Sequence, residues 1–87
     1  MQIKSGIYKH FKGLESLVVA TAKPSDEGEE VVVYFGMKDK TWHTRPVSSF
    51  CEKVKDAEDN DVPRFALERV MSVKELASMI DDLSKTK

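Results

Sequence analysis

Apolar and polar positions alternate with a period near two through the first half of the chain and adopt a helical period only after Ser72. Gly6 to Phe11, GIYKHF, puts Ile7 and Phe11 on one side and Tyr8 and His10 on the other. That alternation predicts a short half-buried strand, closed by Gly13. Glu15 to Lys23 predicts a second strand, with Leu17 and Val19 on one face and Val18, Ala20 and Ala22 on the other. The small side chains of that second face predict close approach by another element. Pro24 to Glu30, PSDEGEE, is a turn by composition.

Val31 to Phe50 organises the rest. Val31 to Met37 is β-branched, aromatic and apolar on both faces, which predicts a fully buried strand. MKDKT links it to a strand over Thr41 to Arg45, with Trp42 and Thr44 on one face and His43 and Arg45 on the other. Pro46 lacks the N–H that a central ladder needs, so the strand is expected to end there. One helical turn over Pro46 to Ser49, a short strand over Phe50 to Lys55 and a loop, KDAEDNDVP, are expected next.

Beyond Ser72, Val73, Leu76, Ala77, Ile80 and Leu83 follow helical spacing, and Met79 broadens the stripe. Ser72 with Glu75 forms a capping box, and Asp81 with Lys85 a supporting charge pair one turn apart. About five short strands and a terminal helix predict a mainly β fold, either a small barrel or a rolled antiparallel sheet capped by the helix.

Composition narrows the class. At 87 residues, 40% hydrophobic and 33% charged, the chain reads as one soluble globular domain. No run approaches the roughly 18 apolar residues of a membrane span, and the N-terminal stretch reads as lacking a secretory signal. Cys51 is the only cysteine, which excludes an internal disulfide and points to a reducing, cytoplasmic setting. A net charge of −1 gives no global attraction to nucleic acid or anionic membrane. Residues 1–23 nevertheless carry four lysines against Glu15, and Asp26, Glu27, Glu29 and Glu30 follow as an acidic run.

Candidate catalytic chemistry is sparse. His10 and His43 are the only histidines and show no acidic partner at a telling spacing. Cys51 has no neighbouring base to activate it. Asp56, Glu58, Asp59 and Asp61 lack the central glycine and terminal glutamate of a calcium loop. The four glycines, Gly6, Gly13, Gly28 and Gly36, are too scattered to cradle a phosphate. The expectation is a protein without catalytic activity, metal or cofactor.

GIYKHFKG, VVVYFGM, TWHTRPVSSF and VPRF, in that order, resemble the bacterial family known as domain of unknown function 1653, across about residues 5 to 66. The resemblance implies a short cytoplasmic protein with an SH3-like β-barrel and no established activity. Two residues separate Trp42 from Arg45 where the family pattern has one, and Lys23, Pro24 and Ser25 stand where the family carries a His-Ser pair. On this reading residues 1–67 form the β domain and residues 68–87 a helical extension packed on it.

Small β folds bind through aromatic and basic side chains beside loops. Tyr8, His10, Trp42, His43, Arg45 and Arg64 are the candidate ligand-binding residues. They suit a protein or peptide partner, or single-stranded nucleic acid on a basic-aromatic face. The structural alternative makes Tyr8 and Trp42 core and pairs Arg45 and Arg64 with acids. A further reading has the helix stripe join two copies in a homodimer.

Overall fold

The computed structural model describes residues 3–24 and 28–85; the expected turn at Ser25, Asp26 and Glu27 lies outside them. The elements run β1 (Gly6–His10), β2 (Glu15–Ala22), β3 (Val31–Gly36), β4 (Trp42–Pro46), α1 (Val47–Phe50), β5 (Lys53–Lys55), β6 (Asp61–Pro63), β7 (Phe65–Val70) and α2 (Val73–Lys85). Five strands form one antiparallel sheet in the order β4-β3-β2-β1-β7, and β5 with β6 forms a separate hairpin.

β4 and β7 are the two edges and do not pair with each other, so the sheet is open and the closed-barrel form of the expectation is corrected. The physical reason is visible in its layers. Packed elements cover both faces of β3, so the core is enclosed without the sheet closing on itself. Pro46, at the end of β4, also removes a donor from that edge.

On one face, Tyr8, Val18, Val32, Tyr34, Phe50 and Phe65 form a buried cluster beneath α1. Phe50 and Phe65 stack at 4.3 Å, nearly parallel. On the other face, Leu17 and Phe35 are buried with Met71, Leu76 and Ile80 at the start of and along α2. The first is the aromatic face and the second the helix face. The apolar character of β3 on both sides follows directly, since Val32 and Tyr34 serve one cluster and Phe35 the other.

Several expectations shift at element ends. A bulge between Val18 and Ala20 breaks the alternation of β2. Ala20 then lies opposite Val33 and Ala22 opposite Val31, on the side away from Val18 and Val32, and both alanines are exposed. They admit no close neighbour. The stretch expected as a loop, KDAEDNDVP, instead holds β6 at Asp61–Pro63, and only its first part is the hairpin turn, where Asp56 Oδ1 accepts from the backbone of Glu58 and Asn60. Phe50 belongs to α1 rather than to the strand expected after it.

β7 was not apparent in the pattern, because Phe65 is its only buried residue and the rest of the strand is exposed. It also crosses residue 67, where the division into two segments was expected. Gly6 permits the β1–β7 pairing: a Cβ there would collide with the carbonyl of Arg69.

α2 starts where the capping box places it. Glu75 N donates to Ser72 Oγ at 3.2 Å, and Ser72 N donates back to Glu75 Oε1 at 3.2 Å. Lys85 and Asp81 pair at 3.1 Å. Among the described residues no helix is long and apolar enough to cross a membrane.

Candidate functional site

The aromatic face ends in a cleft of about 440 Å³ whose lining includes His10, Tyr34, Gly36, His43, Arg45 and Phe65. Its existence follows from side-chain size. Ser16 and Gly36 sit opposite one another on β2 and β3, and neither fills the space that larger neighbours would occupy. Tyr34 and Phe65 supply an apolar floor, T-shaped to each other at 5.6 Å.

His43 lies opposite Tyr34 in the β3–β4 ladder and stacks on its ring at 5.3 Å. Its Nε2 is 2.8 Å from Asp39 Oδ2 and 3.1 Å from Thr41 Oγ1. Thr41 N donates to Asp39 Oδ1 at 3.2 Å, so the β3–β4 turn grips the carboxylate twice. The hydrogen bond from His43 is the main reason the Asp39 carboxyl is held below its ordinary value.

Arg45 lies opposite Val32 and extends across the Phe65 ring, its guanidinium carbon 5.7 Å from the ring centre. Nη1 donates to Ser49 Oγ at 3.1 Å, while Nε is closed off from solvent without a hydrogen-bond partner. Arg64 Nε is likewise buried without a partner, but its Nη2 pairs with Glu52 Oε1 at 2.7 Å. His10 stands edge-on to Phe65 at 5.0 Å and accepts the Lys12 N–H at Nδ1, 3.2 Å away. Burial, and then the positive charges of Arg64, Arg45 and Lys12, hold its pKa below 6.5.

Of the six candidate residues, the cleft gathers three, His10, His43 and Arg45. Tyr8 is 6% exposed, packs edge-on against Phe50 and donates its hydroxyl to the Lys4 carbonyl at 2.7 Å; it is core. Trp42 is 54% exposed but lies on the helix face, edge-on to Phe35 at 5.2 Å and beside Val73 and Ala77. Arg64 acts on the cleft through its charge while bound to Glu52.

Sequence reasoning missed Asp39, Tyr34 and Phe65. Asp39 stands four residues before His43, a spacing that brings the two together only because the turn folds back. The helix stripe is largely spent within the chain, with Leu76 and Ile80 buried and Met79 and Leu83 half-buried. Among the described residues, no cluster of three or more metal-ligating side chains occurs.

The fold and cleft together define a small mainly β protein with an open five-stranded sheet, a separate hairpin and a terminal helix. The model of the family described as "Protein of unknown function (DUF1653)" matches residues 6–67, and the chain belongs to that family. A crystal structure of a DUF1653 protein from Bordetella bronchiseptica is similar, with a TM-score of 0.71 and 27% identity. The match covers 82% of this chain and 94% of that one. No curated protein matches the chain.

Proposed function

We propose that the protein is a non-catalytic binding module of the bacterial cytoplasm and that the cleft on the aromatic face is its binding site. The observation that carries the reading is the convergence of His10, His43 and Arg45 around an apolar floor of Tyr34 and Phe65. An apolar cleft with a few converging polar groups is the usual form of a ligand site, and about 440 Å³ suits a small molecule or one peptide side chain. Cys51 packs into the core of the aromatic face, and Asp39 and Thr41 both engage His43 Nε2, an arrangement that positions the ring rather than freeing that nitrogen as a base. Trp42 stands on the opposite face from these groups, which favours a compact ligand over a strand of stacked bases.

A fragment screen read by amide chemical shifts tests the proposal. Shifts gathering on Tyr34, Gly36, His43 and Phe65 are expected. Shifts confined to the helix face, or a library without effect on those residues, would refute it.

A further inference from the structure

We propose that the ligand of this cleft carries an anionic oxygen group, a carboxylate or a phosphate, seated on the guanidinium of Arg45. The inference rests on reading the cleft as the binding site and adds the chemistry of what enters it. Arg45 is half-buried against an aromatic ring, and among the described residues no carboxylate lies within ion-pair distance of it. Taking a cation out of water without an opposite charge is costly, and Arg64 on the same side of the molecule meets that cost with Glu52. Arg45 has one hydroxyl, that of Ser49. That bond and the Phe65 ring hold the guanidinium in place, and among the described residues no partner engages Nη2 or the second Nη1 proton.

A planar fork held in one orientation suits the paired oxygens of a carboxylate or phosphate. The surroundings agree. The charges that act on His10 are Arg64, Arg45 and Lys12, all positive, so this end of the cleft attracts anions. His10 accepts the Lys12 N–H at Nδ1, which leaves Nε2 as its proton donor. Two carboxylates also line the cleft: Asp39 is already engaged by His43 and Thr41, and Glu15 shares a side-chain hydrogen bond with Glu68. Beside the anion, Tyr34 and Phe65 offer an apolar wall to a flat ring or short hydrocarbon.

Four probes of nearly one size decide the matter in the full chain at low salt: benzoate, phenyl phosphate, benzyl alcohol and benzamidine. Titration followed by amide shifts is expected to show benzoate or phenyl phosphate in the cleft and the neutral and cationic probes at least tenfold weaker. The tighter of the two anions identifies the group. Arg45→Gln is expected to weaken anion binding by roughly 10- to 150-fold, the range of a charged hydrogen bond. Should that variant not fold, Arg45→Lys decides: it keeps the charge, loses the fork, and is expected to bind several-fold more weakly.

Equal binding of all four probes, or an Arg45 variant that folds and binds anions as before, overturns the anionic ligand while leaving the cleft a binding site. If no probe reaches the cleft, both readings fall.

Discussion

Asp39 holds His43 against Tyr34. The carboxylate Oδ2 is 2.8 Å from His43 Nε2, and the imidazole stacks on the phenol ring at 5.3 Å, so one acidic residue in a turn sets one wall of the cleft. The His43 hydrogen bond, the leading cause, holds the Asp39 carboxyl below its ordinary 3.8. A depressed carboxylate contributes stability that is present above the unfolded value and is lost as pH falls through the folded one. The Thr41 amide, which donates to the same carboxylate, should therefore report a transition with its midpoint below 3.8 in an NMR titration. A midpoint at or above that value would mean that the contact does not persist in solution. Asp39→Asn should abolish the step.

Gly36 beneath that pair makes a second test. A Cβ at this position would collide with Asp39 Oδ1 and approach His43 Nε2 to 3.4 Å. Both are far ends of side chains, so Gly36→Ala should fold with a midpoint of thermal unfolding close to that of the parent. The damage should be local: the Asp39 carboxyl returns toward 3.8 and the Thr41 amide follows it. A variant that retains the low midpoint would show that the turn accommodates a methyl group without releasing His43.

Trp42→Ala should remain folded. The side chain is 54% exposed and its main aromatic contact is the edge of Phe35 at 5.2 Å. Losing one such pair costs about 1 kcal/mol, well short of the roughly 3–5 kcal/mol of a tryptophan truncated in a core. Urea unfolding measures the difference. Emission from Trp42 in the parent should be readily quenched by acrylamide. Ligand occupancy of the cleft should leave that emission unchanged, because the ring lies on the opposite face of the sheet.

The contrast between Trp42 and His43 shows how far the sequence could be read. Strict alternation along β4 separates the two, and the structure keeps them on opposite faces as the pattern requires. Strand β3 and helix α2 were legible for the same kind of reason, a dense period backed by a capping box. What failed was whatever depended on partners distant in sequence. The bulge in β2 moved Ala20 and Ala22 across the sheet, and β7 offered a single buried residue, Phe65, as its only signal. The cleft needed more still. Its floor joins Tyr34 to Phe65, and Asp39 reaches His43 through a turn whose Lys40 adopts a left-handed φ of 56°. No local pattern records such meetings.

His10 should titrate below 6.5, because burial and the charges of Arg64, Arg45 and Lys12 disfavour its protonated form. For a base with a depressed pKa the unfolded chain takes up protons first. Stability from this site is thus complete above 6.5 and is lost as pH falls from there through the folded value. His10→Gln should flatten that part of the stability profile, and Arg45→Gln should move the His10 pKa back up. The imidazole carbon resonances give the value directly. A His10 midpoint above 6.5 would contradict the positive field at this end of the cleft.

The docking of α2 predicts an asymmetry within a single helix. Leu76 has no exposed surface and meets the helix-face core with Leu17 and Phe35, whereas Val73 is 54% exposed at the start of the same helix. Leu76→Ala should cost about 2–5 kcal/mol, the usual range for a leucine removed from a packed site. Val73→Ala should stay within about 0.5 kcal/mol, as surface changes do. A domain this small holds only a few kcal/mol in reserve, so the first variant should be partly unfolded at 25 °C and the second intact. Urea unfolding of the two side by side checks this. Equal costs would mean that the helix does not dock through the face bearing Leu76 and Ile80. A free helix would also leave Leu17 and Phe35 uncovered, and the sheet would then bind a hydrophobic dye in its native state.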